Sequence, residues 1–443
     1  ALPANISIGG ITMTFKIIET FSGIGSQAKA FSKIKQKNPE FNYKVVATVE
    51  WEIGASYAYD IIHNGPQKLE KYDDYTKEDL VESLGKLNLS SDGKLPLKDG
   101  SLNRMSIQQL KAIKHSLDEN NNFVDISSVK ASELPDAELL TYSFPCQDLS
   151  ISSYWHGNFS GINKDAGNRS GLLWQIERLL KEYQEIGKKM PRFLLMENVS
   201  AIHGPLHEKN FKMWRKELES MGYLNHYYDL DASDFGVPQS RVRTFMISVY
   251  SKDLLHTQRN AILNFFQTSD LNRASTANPT LDMFLKLNYF DNEQYLKEAM
   301  ESTPNFTESR KRIYQDSVKL AYGNDLTGAI AKTITTKQDR NPNAGIIVHQ
   351  LELDSVKAPY RNLTPRETFL LMGFEEDDFQ RLVDNNLNIS KVRKFLSHSK
   401  LLKLSGNSIV VNVLEEIFSE LLYLNASVIN PPSNLTFLEE SFG

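Results

Sequence analysis

Short apolar runs that stop at a polar or small residue recur along the first 250 positions. They predict buried strands at residues 15–21, 44–50, 139–144, 193–199 and 244–249. Apolar positions at helical spacing predict helices at residues 29–37, 77–87, 105–117 and 212–221, with Gly222 as a helix stop. Strands that alternate with helices are typical of an α/β fold, in which ligand-binding and catalytic residues lie at the carboxyl ends of the strands.

The C-terminal third has fewer periodic segments. Thr364-Pro365-x-Glu367 predicts a helix start, because it places a capping residue, a proline and an acid in the favoured order. A last helix is predicted from about residue 405 through Phe418. Between about residues 251 and 343 the pattern is short and mixed, which fits a separate small domain.

Composition limits the class of protein. A charged fraction of 24% and a hydrophobic fraction of 40% in 443 residues are those of a globular protein with room for two domains. No apolar run is long enough to span a membrane, and one cysteine excludes an intrachain disulfide framework and fits a reducing cytoplasm. We expect residues 1–12 to be an added leader, because the chain opens with Ala and Met13 stands directly before the first strand.

The net charge of −5 argues weakly against a nucleic acid partner. DNA contact depends on a local basic face rather than on the sum, so this charge does not decide the question.

A glycine turn follows the first predicted strand. Gly23-x-Gly25-x-x-Ala28 has the spacing and the strand-before, helix-after context of a nucleotide-binding turn. The second strand ends in Glu50, a carboxylate suited to ribose hydroxyls, and Trp51 can stack on an adenine. These residues alone fit a dehydrogenase equally well, or a turn without a ligand.

The only cysteine, Cys146, stands where a strand gives way to a loop at Pro145. A thiol in that place can be a nucleophile once its proton is removed, although a lone cysteine is more often structural. Glu197 ends another apolar strand, and Arg241 and Arg243 alternate before the strand at 244–249. If residues 239–243 form a strand, both arginines share one face, where they are usually just solvated.

Four stretches, in order along the chain, resemble motifs of the C5-cytosine DNA methyltransferases. They are Pro145-Cys146-Gln147, Glu197-Asn198-Val199, Gln239-x-Arg241-x-Arg243 and Gly406-Asn407-Ser408. Residues 142–150 are most similar to a bacterial group that includes mollicute CpG methyltransferases. Glu19 stands where the family usually has Asp, and Ser26 where it has the last glycine of the turn.

The resemblance implies an α/β fold: a Rossmann-like S-adenosylmethionine-dependent large domain with a smaller, irregular target-recognition domain. We expect the large domain at residues 13–250, the small domain at 251–395, and a return to the large domain at 396–443. Residues 65–122 are interpreted as a helical insertion that decorates the solvent-exposed surface. A single chain with both domains predicts a monomer.

The implied cofactor is S-adenosylmethionine, converted to S-adenosylhomocysteine, with no metal. An acid at Glu19 favours this cofactor over a nicotinamide. The residues expected to bind it are Glu19, Phe21, Ser22, Gly23, Gly25, Glu50, Trp51, Asp125, Ile126, Phe144, Pro145, Leu172, Asn407 and Ser408.

By the same resemblance, Cys146 adds to C6 of cytosine and Glu197 acts at N3, while Arg243 holds O2 and orients Glu197. Arg241 is a further catalytic candidate. The target base lies inside the double helix, so it must be flipped out.

The implied partner is double-stranded DNA. Expected contacts near the nucleophile are Gln147, Ser150 and Ser152, in a loop to residue 167 that carries Tyr154 and Trp155. Expected contacts in the small domain are Lys337, Gln338 and Arg340. A cognate restriction endonuclease, linked by function rather than by contact, and an orphan role both stay open.

Three alternatives stay open at this point. A tRNA cytosine-5 methyltransferase shares the whole motif set, although the variable region before Arg361 and the insertion favour DNA. A catalytically silent DNA-binding homologue fits less well, because the catalytic positions are filled. A nicotinamide dehydrogenase explains the glycine turn but neither Pro-Cys-Gln nor Gly-Asn-Ser.

Overall fold

A six-stranded sheet forms the centre of the computed structural model, which describes residues 14–144, 169–269, 271, 280–349 and 356–431. Its strand order is β2-β1-β3-β4-β7-β5, and β7 runs antiparallel to both of its neighbours. The strands are β1 Phe15–Thr20, β2 Tyr43–Val49, β3 Leu139–Tyr142, β4 Phe193–Asn198, β5 Tyr223–Asp231, the short β6 Gln239–Ser240 outside this sheet, and β7 Val242–Tyr250. The predicted α/β class is confirmed.

Helices cover both faces of this sheet. In chain order they are α1 Ser26–Lys37, α2 Ile53–Asn64, α3 Lys77–Gly85, α4 Ile107–Glu119, α5 Leu173–Glu185, α6 Glu208–Met221, α7 His256–Thr268, α8 Glu293–Glu301, α9 Glu308–Asp316, α10 Pro365–Leu370, α11 Glu376–Asn385, α12 His398–Asn407 and α13 Val411–Leu424. Among these described helices none is both long and apolar enough to cross a membrane.

Neighbouring residues of the central strands enter different cores, which explains why these strands are apolar throughout. Ile17 and Phe193 pack with α1, α2 and α13, whereas Ile18 and Leu194 pack with α5 and α6 on the opposite face. A sheet that is buried on both faces needs continuous apolar runs rather than alternation.

The insertion forms helices α3 and α4, as predicted, and each begins with a capping box. Its interpretation as a solvated decoration is wrong, because apolar side chains of both helices form a buried core together with Ile53 of α2 and Val124. The connector between these helices also hydrogen-bonds to the end of β2. Ser90 N donates to Trp51 O over 2.8 Å, and Ile53 N donates to Ser90 O over 2.9 Å.

A second sheet of short strands lies in the irregular part of the chain, in the order β12-β11-β8-β9. The strands of this region are β8 Lys319–Tyr322, β9 Asp325–Leu326, β10 Ala331–Lys332, β11 Ile346–Val348, β12 Tyr360–Asn362, β13 Asn388–Ser390 and β14 Arg393–Lys394. Helices at both ends of the range 251–395 contact the six-stranded sheet and its helices: α7 packs on β5, and α11 packs on α2. The boundary residues of the small domain stay a prediction.

The chain returns to the six-stranded sheet and its helices through α13, where Phe418 stacks on Phe31 of α1 with ring centroids 4.2 Å apart. The single last helix predicted from the sequence is wrong in one respect. The chain breaks at residues 408–410, between the end of α12 at Asn407 and the start of α13 at Val411.

The helix start predicted at Thr364-Pro365 is confirmed, and its acid has a second role. Thr364 Oγ1 accepts from Glu367 N, and the Glu367 carboxylate accepts from Thr364 N. Both carboxylate oxygens of Glu367 also accept from the Arg361 guanidinium over 2.8 Å, and both side chains are fully buried. This ion pair fixes β12 to α10.

Glu19, at the end of β1, is fully buried. The Tyr59 hydroxyl and the Ala28 amide lie near it, yet among the described residues neither carboxyl oxygen has a partner in hydrogen-bond geometry. Burial therefore raises the pKa of Glu19 to about 8.

We expect Arg361→Met to lower the free energy of unfolding by about 3–5 kcal/mol, because it leaves the Glu367 carboxylate buried without its cation. The double variant Arg361→Met/Glu367→Leu should recover part of this loss. Urea unfolding measures both, and Lys86→Met, which removes an exposed pair with Glu82, is the control. Equal stability of the single and double variants would contradict the assignment.

The buried acid of Glu19 predicts a pH dependence. Between pH 4.5 and about 8 the unfolded chain has released this proton and the folded chain retains it, so folding becomes less favourable as pH rises. The stability difference between wild type and Glu19→Gln should therefore fall by up to about 1.4 kcal/mol per pH unit between about pH 6 and 8, then level off. A difference that is independent of pH would rule out a neutral buried Glu19.

Candidate active site

A cavity of ≈ 400 Å³ opens where β1, β2 and β4 end. The residues predicted to bind the cofactor that line it are Phe21, Ser22, Gly23, Glu50, Trp51, Asp125, Ile126, Phe144, Leu172, Asn407 and Ser408. Glu197, Arg241 and Arg243 line the same cavity. The structure thus brings together residues that lie far apart in the sequence.

Of the predicted cofactor residues that the structure describes, two do not line the cavity. Glu19 is buried behind the glycine turn, so it has no direct contact with a ligand there. Gly25 has φ 80°, and a Cβ on it would lie 2.2 Å from His63 Nε2. Gly25 is therefore required for packing of the turn on α2, whereas Gly23 lies at the cavity and faces open space.

Glu50 holds the glycine turn against the end of β2. One carboxylate oxygen accepts from Gly23 N over 3.0 Å, and the other accepts from Glu52 N over 2.8 Å. Burial raises the pKa of Glu50 to about 7, and the nearby Glu52 carboxylate adds to this shift. Each oxygen retains a lone pair that can accept from a ribose hydroxyl.

The rest of the cavity suits an adenosine. Trp51 and Ile126 give it apolar surface, and Asp125 lies on the wall beside them. Asp125 is held in place, since one of its oxygens accepts from Ser127 N over 2.9 Å and the other from Asn88 Nδ2 over 2.5 Å. Donors, acceptors and apolar surface together fit the predicted cofactor.

Sequence reasoning missed one group of cavity residues. Asn88, Asp92 and Gly93 of the insertion line the cavity, as do Glu52 and Lys403. The Gly/Ser/Asp-rich composition of the connector indicates a turn, but nothing in the sequence indicates that this turn reaches the end of β2.

Glu197 lies at the end of β4, inside the cavity. Arg243 Nε is 3.4 Å from Glu197 Oε1. Burial raises the pKa of Glu197, while the charges of Arg243 and Arg241 oppose that shift. A carboxyl group with a raised pKa can carry a proton at neutral pH and can donate it.

Arg241 differs from the sequence expectation. Residues 239–243 are not one strand, because the chain breaks at Arg241 between β6 and β7. The Arg241 side chain is buried rather than solvated. Its guanidinium donates to the carbonyls of Ile334 over 2.8 Å, Gly406 over 3.2 Å and Ser408 over 2.8 Å. Arg241 therefore joins three segments that meet at the cavity.

The break between α12 and α13 places Asn407 and Ser408 on the cavity wall. Ser408 Oγ lies 2.6 Å from Ser26 Oγ, at the start of α1 directly after the glycine turn. A Cβ on Gly406 would lie 2.5 Å from the backbone of Thr335, so this position accepts no side chain. The C-terminal return thus completes the cavity.

The predicted nucleophile lies outside the described residues. So do Pro145, Gln147, Ser150, Ser152 and the loop that carries Tyr154 and Trp155. The last described residue before them is Phe144, which lines the cavity. Its carbonyl accepts from Asn198 Nδ2 over 3.1 Å, next to Glu197 on β4. The strand that leads to Cys146 is therefore anchored beside Glu197.

The predicted DNA contacts of the small domain fall into two groups. Lys337 and Arg340 are exposed. Gln338 is fully buried, so the expectation that it contacts DNA is wrong for this conformation. The Gln338 side chain faces inward between the exposed Lys337 and the half-buried Asp339, and its carbonyl oxygen accepts from Ala344 N over 3.4 Å.

Comparisons with known proteins show the family to which this chain belongs. The model of the C-5 cytosine-specific DNA methylase family matches residues 101–423. The orphan methyltransferase M.SssI of Spiroplasma monobiae is 31% identical over 415 residues, which are 93% of this chain and 98% of that protein. The type II methyltransferase M2.ScrFI of Lactococcus lactis subsp. cremoris is 32% identical over 409 residues, 92% of this chain and 98% of that protein.

Solved structures show the same fold. The S. pombe Dnmt2 methyltransferase has a TM-score of 0.54 at 17% identity, covering 93% of this chain and 98% of that one. A Spodoptera frugiperda DNMT2 mutant has a TM-score of 0.51 at 15% identity, covering 92% and 99%. The family resemblance and the Rossmann-like fold predicted from the sequence are confirmed. The chain belongs to the C-5 cytosine-specific DNA methylase family and is a DNA (cytosine-5-)-methyltransferase.

Proposed function

We propose that this enzyme methylates C5 of a cytosine that is flipped out of a short specific duplex sequence, through a covalent bond between Cys146 and C6. One observation carries the proposal. Glu50 and Trp51, which suit the ribose and adenine of the cofactor, line the same cavity as Glu197 and Arg243. Phe144, two positions before Cys146 in the sequence, lines this cavity as well.

Glu50, Trp51 and Asp125 would hold the cofactor in this cavity, with Asn407 and Ser408 on the C-terminal side. Bound there, S-adenosylmethionine supplies an electrophilic methyl group and leaves as S-adenosylhomocysteine. Leu172 and Phe144 line the cavity as well and restrict the entry of water.

Cytosine C5 is a poor nucleophile, so the enzyme must first make it electron-rich. The Cys146 thiolate forms a bond to C6, and Glu197 donates a proton to N3, which leaves an enamine whose electrons lie at C5. After C5 has gained the methyl group, a base removes the C5 proton. The C6–S bond then breaks and N3 returns its proton to Glu197, so that the thiolate, the carboxylic acid and the neutral aromatic ring are all restored.

The Glu197 environment supports this role. Burial raises its pKa, which keeps a proton available, and the Arg243 cation beside it stabilises the carboxylate that remains after the proton is donated. Arg243 also has the charge to hold the cytosine O2. Arg241 positions the cavity wall through backbone carbonyls, which supports a positioning role rather than a catalytic one.

The exposed Lys337 and Arg340 would contact duplex DNA, and the irregular region around the second sheet would recognise the target sequence. Flipping the base costs a few kcal/mol, which contacts of this kind must offset. We also propose a cytoplasmic monomer that acts either beside a cognate restriction endonuclease or as an orphan methylase. The cavity and the irregular region that would bind DNA are both present in one chain, which supports a monomer.

A duplex with 5-fluorocytosine tests the covalent step. Fluorine at C5 cannot leave as a cation, so the final elimination stops and the enzyme stays bound to DNA. We expect a denaturation-resistant protein–DNA band, and peptide mass spectrometry should place the link at Cys146. Cys146→Ser should give no band and lose at least about a thousandfold in methyl transfer. A full-rate Cys146→Ser enzyme would overturn the mechanism.

The pair of Glu197 and Arg243 predicts a shift in the pH profile. Activity needs protonated Glu197, so the rate falls as pH rises through the pKa of this group. The Arg243 charge lowers that pKa, so Arg243→Gln should move the fall to higher pH and reduce the maximal rate about 10²–10⁴-fold. Single-turnover rates from pH 6 to 10 measure both effects, and the exposed Arg312→Gln is the control. An unchanged pH midpoint of the rate in Arg243→Gln would show that the Arg243 charge does not influence the pKa of Glu197.

A further inference from the structure

The connector of the insertion reaches the cavity at residues 88–93. Its backbone hydrogen bonds to Trp51 and Ile53 continue directly from the strand that carries Glu50. The position of the connector relative to the cavity is therefore fixed by main-chain bonds on both sides of Glu52, and does not depend on helix packing alone.

Glu52 fixes this segment by charge. It is 4% exposed, and its two carboxylate oxygens accept from Lys400 Nζ over 2.6 Å and from Lys403 Nζ over 3.1 Å. The same two ammonium groups donate to connector carbonyls, Lys400 to Ser91 over 2.5 Å and Lys403 to Asp92. We call Glu52, Lys400 and Lys403 the clamp, because they join the N-terminus of α2, the connector and α12.

The clamp fits closely at two glycines. A Cβ on Gly93, which has φ +67°, would lie 2.7 Å from a carboxylate oxygen of Glu52. A Cβ on Gly54 would lie 3.3 Å from Lys400 Cε, so the lysine stem passes directly over the first turn of α2. The connector therefore packs closely against Glu52 at Gly93, and Lys400 packs closely against α2 at Gly54.

Asn88 gives the connector a polar group at the cavity. Its amide nitrogen lies 2.5 Å from Asp125 Oδ2. A carboxylate only accepts hydrogen bonds, so the nitrogen of the amide must face Asp125, and the amide oxygen retains its capacity to accept. Asn88 and Asp125 thus form a pair of acceptors on one wall, suited to an amino group such as that of adenine.

We infer that residues 88–93, held by the clamp, form a wall of the cofactor cavity and set how tightly this enzyme binds its cofactor. The inference rests on the proposed cofactor. Lys400 is a positioning residue, since it acts through the connector, whereas Glu52 and Lys403 also line the cavity themselves. Helix α12 continues from Lys403 to Asn407 and Ser408, so the clamp also ties the opposite wall to the connector.

Titration calorimetry with S-adenosylhomocysteine tests this inference on the full chain. Lys400→Met removes one cation of the clamp, and Gly93→Ala displaces the connector without a change of charge. Both should raise the dissociation constant at least about tenfold. Lys86→Met is the matched control, because Lys86 lies on the same insertion and its ion pair with Glu82 is exposed. Its dissociation constant should equal that of the wild type.

Melting temperatures without ligand show whether each variant folds. If neither does, hydrogen exchange on the wild type decides, since S-adenosylhomocysteine should slow exchange at residues 88–95 but not at 77–85. Variants that bind as tightly as the wild type, or unchanged exchange at 88–95, overturn the inference alone. A wild type that binds no S-adenosylhomocysteine, or transfers no methyl group to duplex DNA in a parallel assay, overturns the proposed function.

Discussion

The Arg241 guanidinium is the interaction on which the rest of the site depends. It is buried and satisfies carbonyls of Ile334, Gly406 and Ser408, which belong to the irregular region and to the C-terminal return. A planar guanidinium has donors in fixed directions, so it sets the mutual positions of the segments that it joins. Through Ser408 and Ser26 this junction reaches the glycine turn, and through the adjoining β7 it positions Arg243 beside Glu197.

Two buried carboxylic acids determine the electrostatics of the site. Glu50 and Glu197 lie at different parts of one cavity, and burial raises the pKa of each. Their partners differ, because Glu50 accepts from backbone amides whereas Glu197 faces an arginine. The backbone amides fix the Glu50 carboxylate in place, so that it can accept hydrogen bonds from a ligand. Glu197 can release its proton beside the Arg243 cation, which suits it to proton transfer.

Local patterns predicted strands β1 to β4 and β7, the glycine turn and the capped helix at Thr364, because each depends on neighbouring residues, but they missed strand β5. The family motifs predicted Glu197 and Arg243 together in one cavity. The burial of Glu19 and Gln338, and the connector at 88–93, depend on segments distant in sequence. Gly25 is an example, since its packing partner His63 belongs to the next helix along the chain. No periodicity or spacing encodes such contacts, so these residues required the structure.

The central claim is that this cavity methylates cytosine in duplex DNA. Transfer from labelled S-adenosylmethionine to unmethylated genomic DNA and, in parallel, to unmodified tRNA tests it most directly, followed by bisulfite sequencing of both. We predict 5-methylcytosine in DNA at one short recurring sequence and none in tRNA. Label that appears only in tRNA, or at no nucleic acid although the cofactor binds, would contradict it.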